Sequence, residues 1–141
     1  MRKTPVIFMT TLWFLGACGN VGVGPAAIPN DPLPTGIMIA QGSFSGLNGQ
    51  AVSGLASVYR DSTSGICTVR VEGISVPNEP ALQIQAQATG ETVLKTPLRF
   101  KNGTQNYVTS VTDTRKWDAI SIVSTQNGRT PLYGKAQLIN K

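Results

Sequence analysis

The stretch Leu82-Gln83-Ile84-Gln85-Ala86-Gln87 decides the fold, because apolar residues alternate with glutamine over six positions. Successive side chains of a β-strand point to opposite faces, so the pattern predicts a strand with one face in a core and glutamines toward water. A second stretch, residues 66–71, alternates in the same way. It places Cys67, Val69 and Val71 on one face and Ile66, Thr68 and Arg70 on the other.

Further short apolar stretches follow the same pattern, and none shows a sustained helical period. We expect strands near residues 52–59, 93–100, 105–111, 119–123 and 132–139. Turn dipeptides that accept positive φ separate them, which favours tight hairpins: Asn48-Gly49, Thr89-Gly90, Asn102-Gly103 and Asn127-Gly128. The sequence therefore predicts an all-β domain over residues 37–141, an antiparallel sandwich of about seven to nine short strands.

The N-terminus has the order of a secretory signal. Arg2 and Lys3 precede ten mostly apolar residues, 5–14, a run too short to span a bilayer. The tetrad that follows, Leu15-Gly16-Ala17-Cys18, resembles the lipobox of bacterial lipoproteins. That resemblance implies that residues 1–17 are a signal peptide and that Cys18 takes the lipid, with palmitate-type acyl chains. Two or three chains suffice for stable membrane attachment.

Residues 18–36 are expected to be the lipidated cysteine and a flexible tether, because residues 19–36 contain four prolines and four glycines. Gly19 stands where an aspartate would indicate retention in an inner membrane. We therefore expect an exported, membrane-anchored protein of the outer membrane or cell surface, depending on the envelope.

The net charge limits the classes of binding partner that we expect. Loss of Arg2 and Lys3 with the signal would leave ten cationic and seven acidic residues, a net charge of +3. That charge is too small and too scattered to indicate nucleic acid. The expected partners are the membrane, through the lipid, and an envelope protein or glycan.

An ordered set of short motifs resembles the DM13 domain over residues 40–139. The set comprises Gly42-Ser43-Phe44, Gly49 to Gly54, Pro80-Ala81-Leu82, Leu98 to Lys101, Gly103 to Tyr107, Trp117 to Ile122 and Tyr133 to Leu138. The resemblance implies an extracellular β-sandwich related to DOMON domains, with a proposed role in electron transfer. Two family positions differ here, since Ser124 replaces the family's cysteine and Gln50 a frequent histidine. The implied redox role is weakened accordingly.

The candidate chemistry is sparse. Cys67 is a possible redox thiol, although its place in a strand favours a small core residue. The sequence has no histidine, so a histidine-ligated haem or a Ser-His-Asp triad is not expected. Asp113 and Asp118 are close enough in sequence to bind a cation, with turn stabilisation as the alternative. We predict no catalytic, metal or cofactor site.

A basic strand face is the remaining candidate. Lys95, Arg99 and Lys101 alternate in one predicted strand, so we expect them to share a face that is either solvated or in contact with an acidic partner. The leading hypothesis is a non-enzymatic, lipid-anchored binding module. A redox accessory is the alternative, and a hydrolase ranks third.

Overall fold

The computed structural model describes residues 27–112 and 116–141, and this part of the chain is all-β, as predicted. Its one helical element is a 3-10 turn at Gln126–Gly128. The strands are β1 (Ile37–Gly46), β2 (Ser53–Arg60), β3 (Cys67–Ser75), β4 (Leu82–Ala88), β5 (Glu91–Pro97), β6 (Asn102–Val108), β7 (Trp117–Ser124), β8 (Leu132–Gln137) and β9 (Ile139–Asn140).

All named strands pair antiparallel, in the order β5-β4-β7-β8-β1-β2-β3-β6. Strand β1 joins the two halves, since Ile37–Ser43 pairs with β2 whereas Phe44–Gly46 pairs with β8. The short β9 adds to the first part of β1. An irregularity between Met38 and Ala40 lies near the start of β1, where a bulge increases the local twist. The strands thus form one continuous sheet that bends at β1 into two halves. The first sheet contains β6, β3, β2 and the first part of β1, the second sheet contains the end of β1, β8, β7, β4 and β5, and the two enclose one core.

The core confirms the alternation read from the sequence. Leu82, Ile84 and Ala86 are buried, and Ile84 lies opposite Ile122 of β7. Val69 and Val71 face the same cluster from the other sheet. Burial of each large aliphatic side chain contributes about 1.5–3 kcal/mol. The cluster is contained between Ala40 and Leu138, so the domain carries its whole buried core within those bounds.

Most of the predicted turns are confirmed. Thr89 and Gly90 both have positive φ and join β4 to β5, and the Gly90 N–H donates to the Asp118 carboxylate at 2.7 Å. Asn48-Gly49 and Asn127-Gly128 also adopt positive φ between strands. The prediction for Asn102-Gly103 was wrong, because these residues begin β6 rather than form a turn.

The strand predicted over residues 93–100 is shifted. Strand β5 begins at Glu91 and ends at Pro97, whose ring leaves no N–H for a ladder. The next residues, 98–101, form the connection to β6 instead.

The N-terminal segment, residues 29–36, lies against the domain. Asn30 forms a parallel bridge to Thr104 near the start of β6, and the Thr35 hydroxyl donates to the Asp61 carboxylate just after β2. The segment therefore runs the length of the sandwich. We call the end near residue 29 the proximal end and the end near residue 36 the distal end. No helix in residues 27–112 or 116–141 is long and apolar enough to cross a membrane.

Candidate functional site

The predicted lipidation site lies outside the described residues. Leu15, Gly16, Ala17 and Cys18 precede residue 27, so the signal peptide and the anchor stay predictions. The same holds for the first half of the predicted tether. Its second half, the N-terminal segment, is hydrogen bonded to the domain, which differs from a free linker over those residues.

Cys67 is fully buried at the start of β3. Its Sγ lies 3.9 Å from the Gly65 carbonyl oxygen, and its own carbonyl accepts from the Thr109 hydroxyl at 2.8 Å. Reactive cysteines are partly exposed and lie beside cations or histidine. The setting of Cys67, among Val69, Val71 and other core residues, is instead that of a packing side chain.

The two positions at which the family residues are replaced both lie at the proximal end. Ser124 ends β7, is buried, and its Oγ accepts from the Gln126 N–H at 3.3 Å. It borders a hollow of about 450 Å³ that Arg129 and Tyr133 also line. Gln50 lies in the loop between β1 and β2, where its N–H donates to the Leu47 carbonyl. Among the described residues, this end holds polar groups and no cysteine.

The prediction that Lys95, Arg99 and Lys101 share one strand face was wrong. Lys95 lies on the outer face of β5, opposite Gln85, whereas Arg99 and Lys101 lie beyond the end of that strand. Arg99 pairs with the Asp31 carboxylate, and Lys101 donates to the Asn78 side chain. Pro97 ends the alternation, so the three cations do not share a surface.

A buried arginine holds the N-terminal segment. Arg70 is only 8% exposed, and its Nη1 donates to the carbonyls of Asp31 and Pro32, both at 2.9 Å, and to Asn106 Oδ1 at 3.0 Å. Its Nε pairs with Glu72 at 2.7 Å. The guanidinium is thus satisfied by four acceptors, as a buried cation requires. The sequence feature that indicates this role is an arginine within an otherwise mostly apolar strand.

The Asp31 carboxylate is the second attachment of the segment. It accepts from the Asn106 N–H at 2.8 Å and pairs with Arg99. The Asn106 hydrogen bond, followed by that from Arg99, holds the pKa of Asp31 below its ordinary value of 3.8. The same pair raises the pKa of Arg99. These interactions favour the charged pair, so the segment is attached through ionised groups.

A tyrosine beside this pair is also tied into the structure. The Tyr107 hydroxyl donates to Gln105 Oε1 at 2.7 Å and accepts from the Arg99 N–H at 3.2 Å. Burial raises the pKa of Tyr107, and the Arg99 guanidinium lies 5.4 Å from its ring centroid. Tyr107 therefore packs under Arg99 rather than lining a free ligand surface.

The carboxylates considered for cation binding are used by the fold or lie outside the described residues. Asp118 stabilises the β4–β5 turn through Gly90, and Asp113 falls in the gap between the described ranges. Asp61 accepts from Thr35, Thr63 and Ser64, and the backbone N–H groups of Ser64 and Thr63 lower its pKa. No group of three potential metal ligands occurs within residues 27–112 and 116–141.

A groove of about 480 Å³ lies at the distal end. Ile37, Met38 and Ile39 of β1 form its apolar part, and Ile37 is 54% exposed. Arg60, Lys116, Asn140 and Lys141 line the rest. The groove is built by the fold, since β1, the end of β2 and the start of β7 meet only at this end. No local sequence pattern indicates that these residues come together.

The start of β1 fixes one wall of the groove. Gly36 has φ +107, and a Cβ there would lie 2.1 Å from the Arg60 carbonyl oxygen. Only glycine allows the chain to pass so close to the end of β2 and turn into β1. The backbone of Arg60 is held in this way beside Ile37, with which it pairs in register.

No family model, curated protein or solved structure matches this chain. The resemblance to the DM13 domain therefore stays a prediction, and the function rests on the geometry.

Proposed function

We propose that this chain is a lipid-anchored, non-enzymatic binding module of the bacterial cell envelope, with the distal groove as its binding site. The observation that carries the proposal is the groove itself. It combines exposed apolar side chains with three cations, Arg60, Lys116 and Lys141. Concave sites with an apolar lining and a few polar groups are the usual form of ligand sites.

The direction of the chain supports presentation of this groove. Residue 29 lies at the proximal end and the groove at the distal end, about one strand length away. Cys18 precedes Ala27 by nine residues, which span at most about 32 Å when extended. The segment that follows Cys18 would thus enter the domain at the proximal end, opposite the groove.

The redox alternative comes from the family resemblance alone. It needs a reactive thiol or a bound cofactor, and Cys67 is fully buried. Ser124 and Gln50 supply neither a thiol nor an imidazole at the places of the family residues. The exposed apolar and cationic side chains of the distal groove support the binding role instead.

Lipid anchoring is tested by labelling the full chain with a clickable palmitate analogue in a bacterial host. We expect incorporation in the wild type and none in Cys18→Ala. Cys67→Ala is the matched control, because it removes the other cysteine and should keep the label. Equal labelling of wild type and Cys18→Ala would refute the anchor.

Binding is tested with residues 18–141 carrying Cys18→Ser, which contain the entire buried core. Trp117 is then the only tryptophan, and it follows Lys116 of the groove directly. We expect envelope extracts to give a saturable change in Trp117 fluorescence that Arg60→Gln weakens and Lys95→Gln does not. If neither the lipid fraction nor the water-soluble fraction produces such a change, the binding function is wrong.

A further inference from the structure

The distal groove presents cations that the fold leaves available. Among the described residues, the two ion pairs involve Arg70 with Glu72 and Arg99 with Asp31. Arg60 and Lys116 take part in neither. The carboxylate nearest to Arg60 in sequence, Asp61, already accepts hydrogen bonds from three residues. Neither Arg60 nor Lys116 is therefore paired with a carboxylate of the described residues.

The start of β1 forms the apolar part of the groove. Ile37 begins β1 with more than half of its surface exposed, and Met38 and Ile39 are partly exposed beside it. Removing such surface from water stabilises a complex by about 25 cal/mol per Å². A ligand that fits both parts needs an apolar portion on the isoleucines and an acidic group at the guanidinium.

The size of the groove limits that ligand. A cavity of about 150 Å³ holds benzene, and the groove measures about 480 Å³. It can take on the order of 15 non-hydrogen atoms, which corresponds to a medium acyl chain with its head group. A long lipid would extend beyond it.

We propose that the distal groove binds a single-chain anionic amphiphile, with its acidic head at Arg60 and Lys116 and its chain on Ile37–Ile39. This rests on the proposed binding function and names the ligand class for the same site. Arg60 is the main head-group residue, because a guanidinium binds a carboxylate or phosphate through two parallel hydrogen bonds. Lys116 adds a point charge, and Ile37 supplies the exposed apolar contact.

Decanoate is the probe, titrated into residues 18–141 with Cys18→Ser while Trp117 fluorescence is followed. We expect saturable binding. Acetate, which keeps the head and lacks the chain, should bind at least tenfold more weakly. Decyltrimethylammonium, which keeps the chain and reverses the charge, should give no saturable change. Equal binding of decanoate and decyltrimethylammonium would overturn the proposal.

Three substitutions locate the site. Arg60→Gln and Lys116→Gln should each weaken decanoate binding, Arg60→Gln by about tenfold, as loss of one charge-assisted pair implies. Ile37→Ser should weaken decanoate and leave acetate unchanged. Lys95→Gln removes the same charge from the outer face of β5 and should change nothing. Unchanged binding in all three groove variants, checked as folded by circular dichroism, would assign the probe to another place.

Two further outcomes separate this proposal from the function on which it rests. Saturable binding of the water-soluble envelope fraction but not of decanoate would overturn the amphiphile and keep the binding module. Binding to anionic vesicles without binding to monomeric decanoate would also overturn it, because the site would then recognise a membrane surface. Binding of decanoate that the lipid fraction displaces would support both.

Discussion

The outer faces of the two sheets differ in what covers them. On the first sheet, the N-terminal segment crosses β6 and β3, where Asn106 and Arg70 donate to its carbonyl groups. On the second, the outward side chains of β4, β5, β7 and β8 form no hydrogen bond to this segment within the described residues, although Ser121 of β7 is only 7% exposed. We call these the covered face and the open face. The central row of the open face, in register across four strands, is Lys95, Gln85, Ser121 and Lys135.

The difference shows that a cationic residue has different requirements on the two faces. A cation on the covered face loses its water and needs protein acceptors, so Arg70 has four. A cation on the open face keeps its water and needs none. Lys95 and Lys135 are about 14 Å apart if strands lie at their usual spacing, so they repel one another weakly. Substitutions on the two faces should differ in cost for this reason.

The largest effect is expected from Arg70→Ala. The substitution removes the Arg70 donor from the Asp31 carbonyl, Asn106 Oδ1 and the Glu72 carboxylate, and it leaves the Pro32 carbonyl with Asn106 alone. It should lower the free energy of unfolding by about 3 kcal/mol. Urea denaturation measures this change. Lys135→Ala on the open face is the matched control and should stay within about 0.5 kcal/mol. Similar losses of unfolding free energy in both variants would mean that the N-terminal segment does not add to the stability contributed by Arg70.

Gly103→Ala is expected to rank second. Gly103 has φ +90, and a Cβ would lie 2.4 Å from the Pro29 carbonyl oxygen and 2.8 Å from Ile28 Cγ2. The overlap should push the N-terminal segment off β6, so that the amides of Asp31 and Thr104 exchange faster with solvent. Gly49→Ala is the control, because Gly49 also has positive φ but nothing lies within 4 Å of its added Cβ.

Gly49→Ala should cost only the conformational strain of about 1 kcal/mol. The excess loss in Gly103→Ala then measures the contact with the segment. Equal costs and unchanged amide exchange in both variants would contradict the docked position of residues 28 and 29.

Acid should loosen the segment through Asp31. Because the folded-state pKa of Asp31 is lowered, its contribution to stability is complete above the unfolded value of 3.8 and is lost as the pH falls through the folded value. We expect the protection factor of the Asn106 amide, which corrects for the slower intrinsic exchange in acid, to fall below about pH 4 in the wild type. In Asp31→Asn, that protection factor should be lower at neutral pH and should change less with acid. Identical pH profiles would refute the role of the carboxylate.

The smallest effect is expected from Lys95→Gln on the open face. Lys95 is exposed and lies opposite Gln85, with no ion pair among those seen in the described residues. The free energy of unfolding should change by less than about 0.5 kcal/mol, measured by the same urea denaturation. A loss above 1 kcal/mol would show that this face is also organised by its charges.

Strand identity was predictable because it depends on local alternation. The pattern from Leu82 to Gln87 predicted β4 with its correct faces, and Cys67, Val69 and Val71 were assigned to the core. Errors occurred where a single residue interrupts the pattern. Pro97 ended a strand expected to continue to Phe100, and Asn102-Gly103 began a strand where a turn was expected.

The candidate site was not predictable in the same way. Ile37, Arg60 and Lys116 are far apart in sequence, and nothing in their local surroundings relates them. Docking of residues 29–36 escaped prediction for a related reason. Prolines and glycines indicate a linker when taken alone, yet the carbonyl groups of Asp31 and Pro32 accept hydrogen bonds from Arg70, which the sheet has removed from water.

By itself, the sequence determined the fold class, the core-facing side of β3 and β4, and most turns, because these depend on alternation and on local φ preferences. It also carries the predicted export signal and lipidation site at Cys18. The tertiary structure alone decided which strands neighbour one another, which sheet face the N-terminal segment covers and where the groove opens. Those features depend on contacts between residues distant in sequence, whose free energy appears only when the chain brings them together.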